Sequence, residues 1–250
     1  LTTIPGLASG LKAPFVGLRR IASTRSTWPW VLGPALLFAA LLCGALGGGV
    51  TWGPAVARAL LPDVSRQPAV LRGLIVLVFD GLLMAVLTVV GWYLTAALAG
   101  PFHDRLSQIL EEDATGTPSA LSGGLAGLLT DVGMSVGHTL GAMTVWLAAS
   151  CALLPVQLIP GVGQAAWLVG ATWISALMMA WQALDYPLSR ERMPFGAKVQ
   201  LVRANLWAVS GLGLASLAIL AVPVVDLLAP AAAVSGATLL VLEIRAAARP

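Results

Sequence analysis

The chain has 250 residues, of which 58% are hydrophobic and only 10% charged, and its mean hydropathy is +0.89. A water-soluble domain carries roughly a quarter charged residues, so these charges are too few to solvate its surface and lipid must cover much of it. The net charge of +3 and the pI near 9.3 then report orientation in a membrane rather than nucleic-acid binding.

From the start of the chain, Leu7, Leu11, Phe15, Leu18 and Ala22 recur at helical spacing with Lys12, Arg19 and Arg20 among them. This pattern predicts an amphipathic helix lying in the membrane interface, within an interfacial segment 1–28. Pro14 is expected to interrupt that helix unless it marks a start. The first long apolar run, Trp30 to Trp52, is too long for the h-region of a secretory signal, and no small-residue cleavage site follows it cleanly. With Gly73 to Ala99 it makes two long spans over 30–99, against the roughly 20 residues a membrane-crossing helix needs.

Pro101 to Ser122 holds Asp104, Arg105, Glu111, Glu112 and Asp113 with Leu106, Ile109 and Leu110 between them. It reads as an amphipathic cytoplasmic helix continuing from the second span, followed by the turn-prone Thr115-Gly116-Thr117-Pro118. Two apolar pairs follow. Val132 to Leu154 and Gly163 to Leu184 are separated by Ile159-Pro160-Gly161-Val162-Gly163, giving a first hairpin over 132–184. Asn205 to Val222 and Ala229 to Ile244 are separated by Pro223-Val224-Val225-Asp226-Leu227-Leu228, giving a second over 205–245. The second pair is short and ends near Glu243 and Arg245, so it is read as a hairpin that only part-penetrates the bilayer. Residues 185–204 form a cytoplasmic loop in this reading. The whole chain, 1–250, is one polytopic membrane domain.

Alternating the six segments puts Lys12, Arg19, Arg20, Arg25, Arg105, Arg190, Arg192, Lys198, Arg203, Arg245 and Arg249 on one side. Only Arg58, Arg66 and Arg72 fall on the other, so eleven of the fourteen basic residues mark the first side as cytoplasmic, with both termini there.

Polar residues inside apolar runs are the candidates for chemistry. Asp80 lies within the second span and is expected to take a structural partner such as Arg72. His138 sits in a Gly133, Gly137, Gly141 ladder and is expected to hydrogen-bond a neighbouring helix; His103 is expected at the interface. Asp185-Tyr186-Pro187 should end a helix, with Asp185 near Arg190 or Arg192, and Asp226 should cap the helix after it. Cys43 and Cys151 read as small packing residues. The nine tryptophans, including Trp28, Trp30, Trp52 and Trp92, suit aromatic belts. No phosphate loop, nucleophile elbow, paired carboxylates or clustered metal ligands occur in the sequence. An enzyme is not expected, and neither a cofactor nor a metal is called for.

Four stretches taken together carry a resemblance. They are Gly100-Pro101-Phe102 with its acidic helix, Ile159-Pro160-Gly161-Val162-Gly163-Gln164, Asp185-Tyr186-Pro187-Leu188 through Met193-Pro194-Phe195, and Pro230-Ala231-Ala232-Ala233-Val234-Ser235-Gly236-Ala237-Thr238. In this order and spacing the chain resembles the CysZ sulfate permeases and the wider etoposide-induced-protein family. The resemblance implies an all-α integral membrane fold of two long transmembrane helices, two membrane-inserted helical hairpins and amphipathic cytoplasmic helices. It also implies a bacterial inner-membrane homo-oligomer, dimer or higher, that passes sulfate or a related oxyanion without an ATP-hydrolysing subunit.

The family's Gly-Leu-Arg-Arg-like motif, linked to anion binding, matches Gly17-Leu18-Arg19-Arg20, and Arg25 is expected to join it. Measured back from Pro34, the family's slot falls near Ser26, Thr27, Trp28 and Pro29. Either the motif has shifted with a small insertion or the match is to an upstream glycine. Arg19 and Arg20 offer forked donors suited to a tetrahedral oxyanion, and Gly17 would let backbone N–H groups approach it. The alternatives to a sulfate permease are a membrane scaffold that does not transport and a permease for a different small solute.

Overall fold

Small residues set how closely the helices of this chain approach one another. In the computed structural model, which describes residues 6–60, 67–116, 141–222 and 225–248, every regular element among them is helical. Helix α1 is Leu7–Ser23, and a short 3-10 turn, Arg25–Thr27, leads into α2, Trp28–Leu60. Helix α3 is Ala69–Thr115, and α4 runs over Gly141–Leu158 with its last five residues in 3-10 form. Helices α5 (Gly163–Arg190), α6 (Phe195–Ala204), α7 (Leu206–Leu220) and α8 (Ala229–Ala248) complete the order. His138, Gly133, Gly137, Arg66, Arg249 and Pro223-Val224 lie outside the described residues, as do the side chains of Arg58 and Trp92.

Five stretches are long and apolar enough to cross a membrane: Arg25–Gly53, Ala69–Gly91, Gly141–Leu158, Gly163–Arg190 and Ala229–Ala248. The pair α6 and α7, bent by 91° at Asn205, raises the number to six if it counts as one span. The chain is therefore an all-α, multi-pass membrane protein.

The chain divides into two compact units, Leu32–Phe102 and the remainder. In the Leu32–Phe102 unit, α2 and α3 expose most of their apolar side chains, among them Leu36, Val50, Val70 and Leu77. Glycines on α2 make room for α3. A Cβ added at Gly49 would lie 2.5 Å from the Met84 sulfur, and one at Gly33 only 2.3 Å from the Phe102 ring. Asp80 sits against Gly53, its Oδ1 buried and without a hydrogen-bond partner among the described residues. The expected pairing with Arg72 does not form. Eight residues of helix separate the two by about 12 Å of rise, beyond side-chain reach.

In the other unit an apolar core gathers Leu184 and Leu188 of α5, Val209 and Leu212 of α7, and Leu240 and Val241 of α8. Helix α1 crosses α7 and α8 through its buried face, Gly10, Ala13, Pro14, Gly17 and Ile21. Pro14 does not interrupt α1, contrary to expectation. Its ring is buried at the crossing, where a Cβ at Gly236 would lie 2.7 Å from the Pro14 nitrogen. That close packing on α8 offsets the missing hydrogen bond.

The α4–α5 turn follows its sequence signal: Pro160 presets φ, Gly161 takes φ +83°, and the Gly163 N–H bonds the Ile159 carbonyl at 2.9 Å. The two helices then fold back, bringing Leu153 against Gly170. Asp185-Tyr186-Pro187 does not end α5, which runs on to Arg190, and 195–204 is helix where a loop was expected. Pro187 is buried within the last turn of α5. The actual stop is a Schellman motif. Met193 N–H bonds Leu188 O at 3.3 Å, Arg192 N–H bonds Ser189 O at 2.8 Å, and Arg192 takes the left-handed conformation with φ 51°.

Cys43 and Cys151 are exposed rather than packed, because the outward faces of these spans are the apolar ones. Trp28, Trp52, Trp146 and Trp207 are exposed, whereas Trp30 is half-buried against the cluster of Ile21, Val31, Leu106 and Leu110.

Candidate anion segment and the neighbouring ion-pair network

The five residues expected to bind an anion divide between two faces of the N-terminal segment. Gly17 is buried at the α1–α8 crossing, where an added Cβ would lie 2.2 Å from Ser235 Oγ and 2.7 Å from the Gly236 nitrogen. Leu18 is half-buried and packs on two apolar clusters, one with Ile21, Leu106 and Leu110, the other with Ile219, Ala229 and Ala232. Arg19, Arg20 and Arg25 are exposed. Residues 17–20 lie deep inside α1, past its first four positions, so their backbone N–H groups are spent within the helix. An anion here would be held by guanidinium groups and not by the backbone approach expected of Gly17.

The arginines are not equivalent. Arg20 Nε donates to Asp113 Oδ2 at 2.7 Å, and Nη2 reaches the Asp113 carbonyl at 3.4 Å. Both side chains are about 40% exposed, so the pair contributes little to stability but does offset the Arg20 charge. Arg19 and Arg25 form no ion pair among the described residues.

A more buried set of charges joins the ends of α3, α5, α6 and α8. Asp104, Ser107, Gln108 and Glu111 recur at helical spacing on one face of α3. Arg190, 15% exposed, reaches across from α5. Its Nη1 donates to Asp104 Oδ1 at 3.1 Å, and its Nη2 to Ser107 Oγ at 3.0 Å and Glu111 Oε2 at 2.6 Å.

Thr238 on α8 donates to the Val234 carbonyl at 2.8 Å, which leaves its oxygen to accept from Ser107 at 2.7 Å. The donors thus run from Arg190 through Ser107 to Thr238. Arg245 meets Glu191 at 2.6 Å, and Glu111 at 3.9 Å. Beside this network Lys198, 1% exposed, donates to Asp185 Oδ1 at 2.5 Å and Ser189 Oγ at 2.8 Å. Lys198 from α6 thus holds Asp185, and Arg190 serves α3.

His103 is buried against Tyr186, ring centroids 5.7 Å apart at 80°. Burial lowers its pKa from 6.5 to about 4. The Asp226 side chain makes no cap hydrogen bond among the described residues, since a 3-10 turn, Val225–Leu228, runs directly into α8.

The network and Asp113 were missed from the sequence. The only signal was the i, i+3, i+7 spacing of Asp104, Ser107 and Glu111, which reads equally as a solvated face.

The sequence profile of the family described as Sulfate transporter CysZ/Etoposide-induced protein 2.4 matches residues 13–230. The chain belongs to this family. Relatives named "Sulfate transporter CysZ" from Salmonella typhimurium and Salmonella paratyphi A are 29% identical over 198 residues, covering 77% of this chain and 78% of theirs. One of the same name from Pseudomonas aeruginosa is 29% identical over 145 residues. That match spans 57% of its length and 57% of this chain. The family is one of membrane transporters.

Proposed function

We propose that this chain is a bacterial inner-membrane permease that carries sulfate or a related oxyanion toward the cytoplasm. In this reading it works without an ATP-hydrolysing subunit and as a homo-oligomer, with both termini in the cytoplasm. The observation that carries the reading is the family match over 13–230, which runs through Gly17, Leu18, Arg19, Arg20 and Arg25. Relatives that bear the sulfate-transporter name support the substrate. The basic asymmetry, eleven of fourteen Lys and Arg on one side, supports the orientation.

Arg19 and Arg25 supply exposed guanidinium groups whose forked donors match a tetrahedral oxyanion. Arg20 joins them when an anion competes with Asp113. Gly17 and Leu18 hold the segment against α8 and the apolar clusters.

The test is labelled-sulfate uptake into proteoliposomes carrying the wild-type chain, the Arg19→Ala/Arg20→Ala variant, or no protein. Saturable uptake that the variant loses is the expected result. Equal uptake by wild type and variant removes the anion assignment. No uptake by folded wild-type protein removes the sulfate assignment.

A further inference from the structure

Between α1 and α8 lies an open groove of about 360 Å³. The register of the two helices follows from their crossing: Gly17 meets Ser235, while Ala13 and Pro14 meet Gly236. Residue numbers fall along α1 as they rise along α8, so the helices run antiparallel away from that point. Ser9 and Lys12 therefore accompany Glu243 at the outer end of the groove, and Val16 accompanies Leu239 nearer the crossing. The groove is polar at one end and apolar at the other.

Its two charges face the same space. Lys12 and Glu243 are both exposed and form no ion pair with each other or with any described residue. An unclosed cation and anion at the mouth of an apolar groove are complementary to a zwitterion with an attached hydrocarbon. The neighbouring surface fits lipid contact, because Leu11, Phe15 and Val16 of α1 are exposed at 39%, 55% and 53%.

We propose that this groove binds a single phospholipid with a primary-ammonium headgroup. Lys12 meets the phosphate, Glu243 accepts hydrogen bonds from the ammonium, and an acyl chain runs along Val16 and Leu239. A quaternary ammonium has no N–H to give Glu243, and an anionic headgroup places negative charge beside it. The groove thus selects phosphatidylethanolamine over phosphatidylcholine and phosphatidylglycerol. This proposal does not depend on what the protein transports.

The test is native mass spectrometry of the full chain in detergent, titrated with each of the three lipids carrying identical acyl chains. The expected result is one phosphatidylethanolamine adduct retained about fivefold over the other two, the factor that one exposed charge pair supplies. Glu243→Leu should abolish that preference while leaving an adduct. Lys12→Gln should weaken all three adducts.

Both positions are exposed, and melting curves of the variants check that they fold. If a variant does not fold, the wild-type comparison still decides. Equal retention of the three lipids by the wild-type chain overturns the proposal, as does a preference that survives Glu243→Leu. A dimer mass that Lys12→Gln abolishes, with no lipid retained, also overturns it and assigns the groove to a second copy.

Discussion

Replacing Arg190 by Met tests whether the ion-pair network holds the α3 and α5 ends together. Arg190 is 15% exposed, Glu111 22% and Asp104 40%. The bond to Glu111, at 2.6 Å and largely buried, contributes about 2–3 kcal/mol. The Asp104 contact is discounted for exposure to about 0.5 kcal/mol, and the Ser107 bond adds about 1 kcal/mol. The loss is then about 4 kcal/mol, which at roughly 2–4 °C per kcal/mol for a chain of this length lowers Tm by roughly 10 °C.

Arg190→Lys discriminates the mechanism. One ammonium cannot span Asp104, Ser107 and Glu111 together, so it should recover less than half of the loss. The assay is thermal unfolding in detergent followed by fluorescence-detected size exclusion. A drop under about 2 °C for Met, or full recovery by Lys, would refute this reasoning.

Two further outcomes follow. Gly17→Ala puts a Cβ 2.2 Å from Ser235 Oγ and must push α1 off α8; the expected cost is about 1–3 kcal/mol. Melting curves should show that loss for Gly17→Ala, partial recovery when Ser235→Gly is added, and no comparable loss for Arg19→Ala. An unchanged Tm for Gly17→Ala would show that the crossing is looser than described. His103, lowered from 6.5 to about 4, favours the folded state when neutral. Its contribution is whole above pH 6.5 and is lost as pH falls from there toward 4, by about 3 kcal/mol in all. Measured as wild type minus His103→Gln, stability should fall over that window, and a flat difference would contradict it.

The membrane class was legible because it rests on composition and on runs of twenty or so apolar residues, which need no knowledge of partners. The Ile159–Gly163 turn was legible for the same reason: Pro160 and Gly161 act on their own backbone. Pro14 misled because its cost is set locally while the compensation comes from elsewhere, from its close packing on α8. The two cysteines were misplaced because a membrane protein turns apolar faces out, so hydropathy alone does not say which face of a helix packs.

The same limit explains what the Gly-Leu-Arg-Arg stretch could and could not convey. Arg19 and Arg20 are identical as residues and adjacent in sequence, yet Arg20 alone meets Asp113, 93 residues further along. No local pattern carries that distinction. It arises because Gly17 and Leu18 pin α1 on its inner face, which fixes the rotation of the helix and with it the direction each arginine takes. The glycine of the motif thus acts on the segment's charge at one remove: by letting α1 approach α8 closely, it sets which arginine meets Asp113 and which meets no acidic side chain among the described residues.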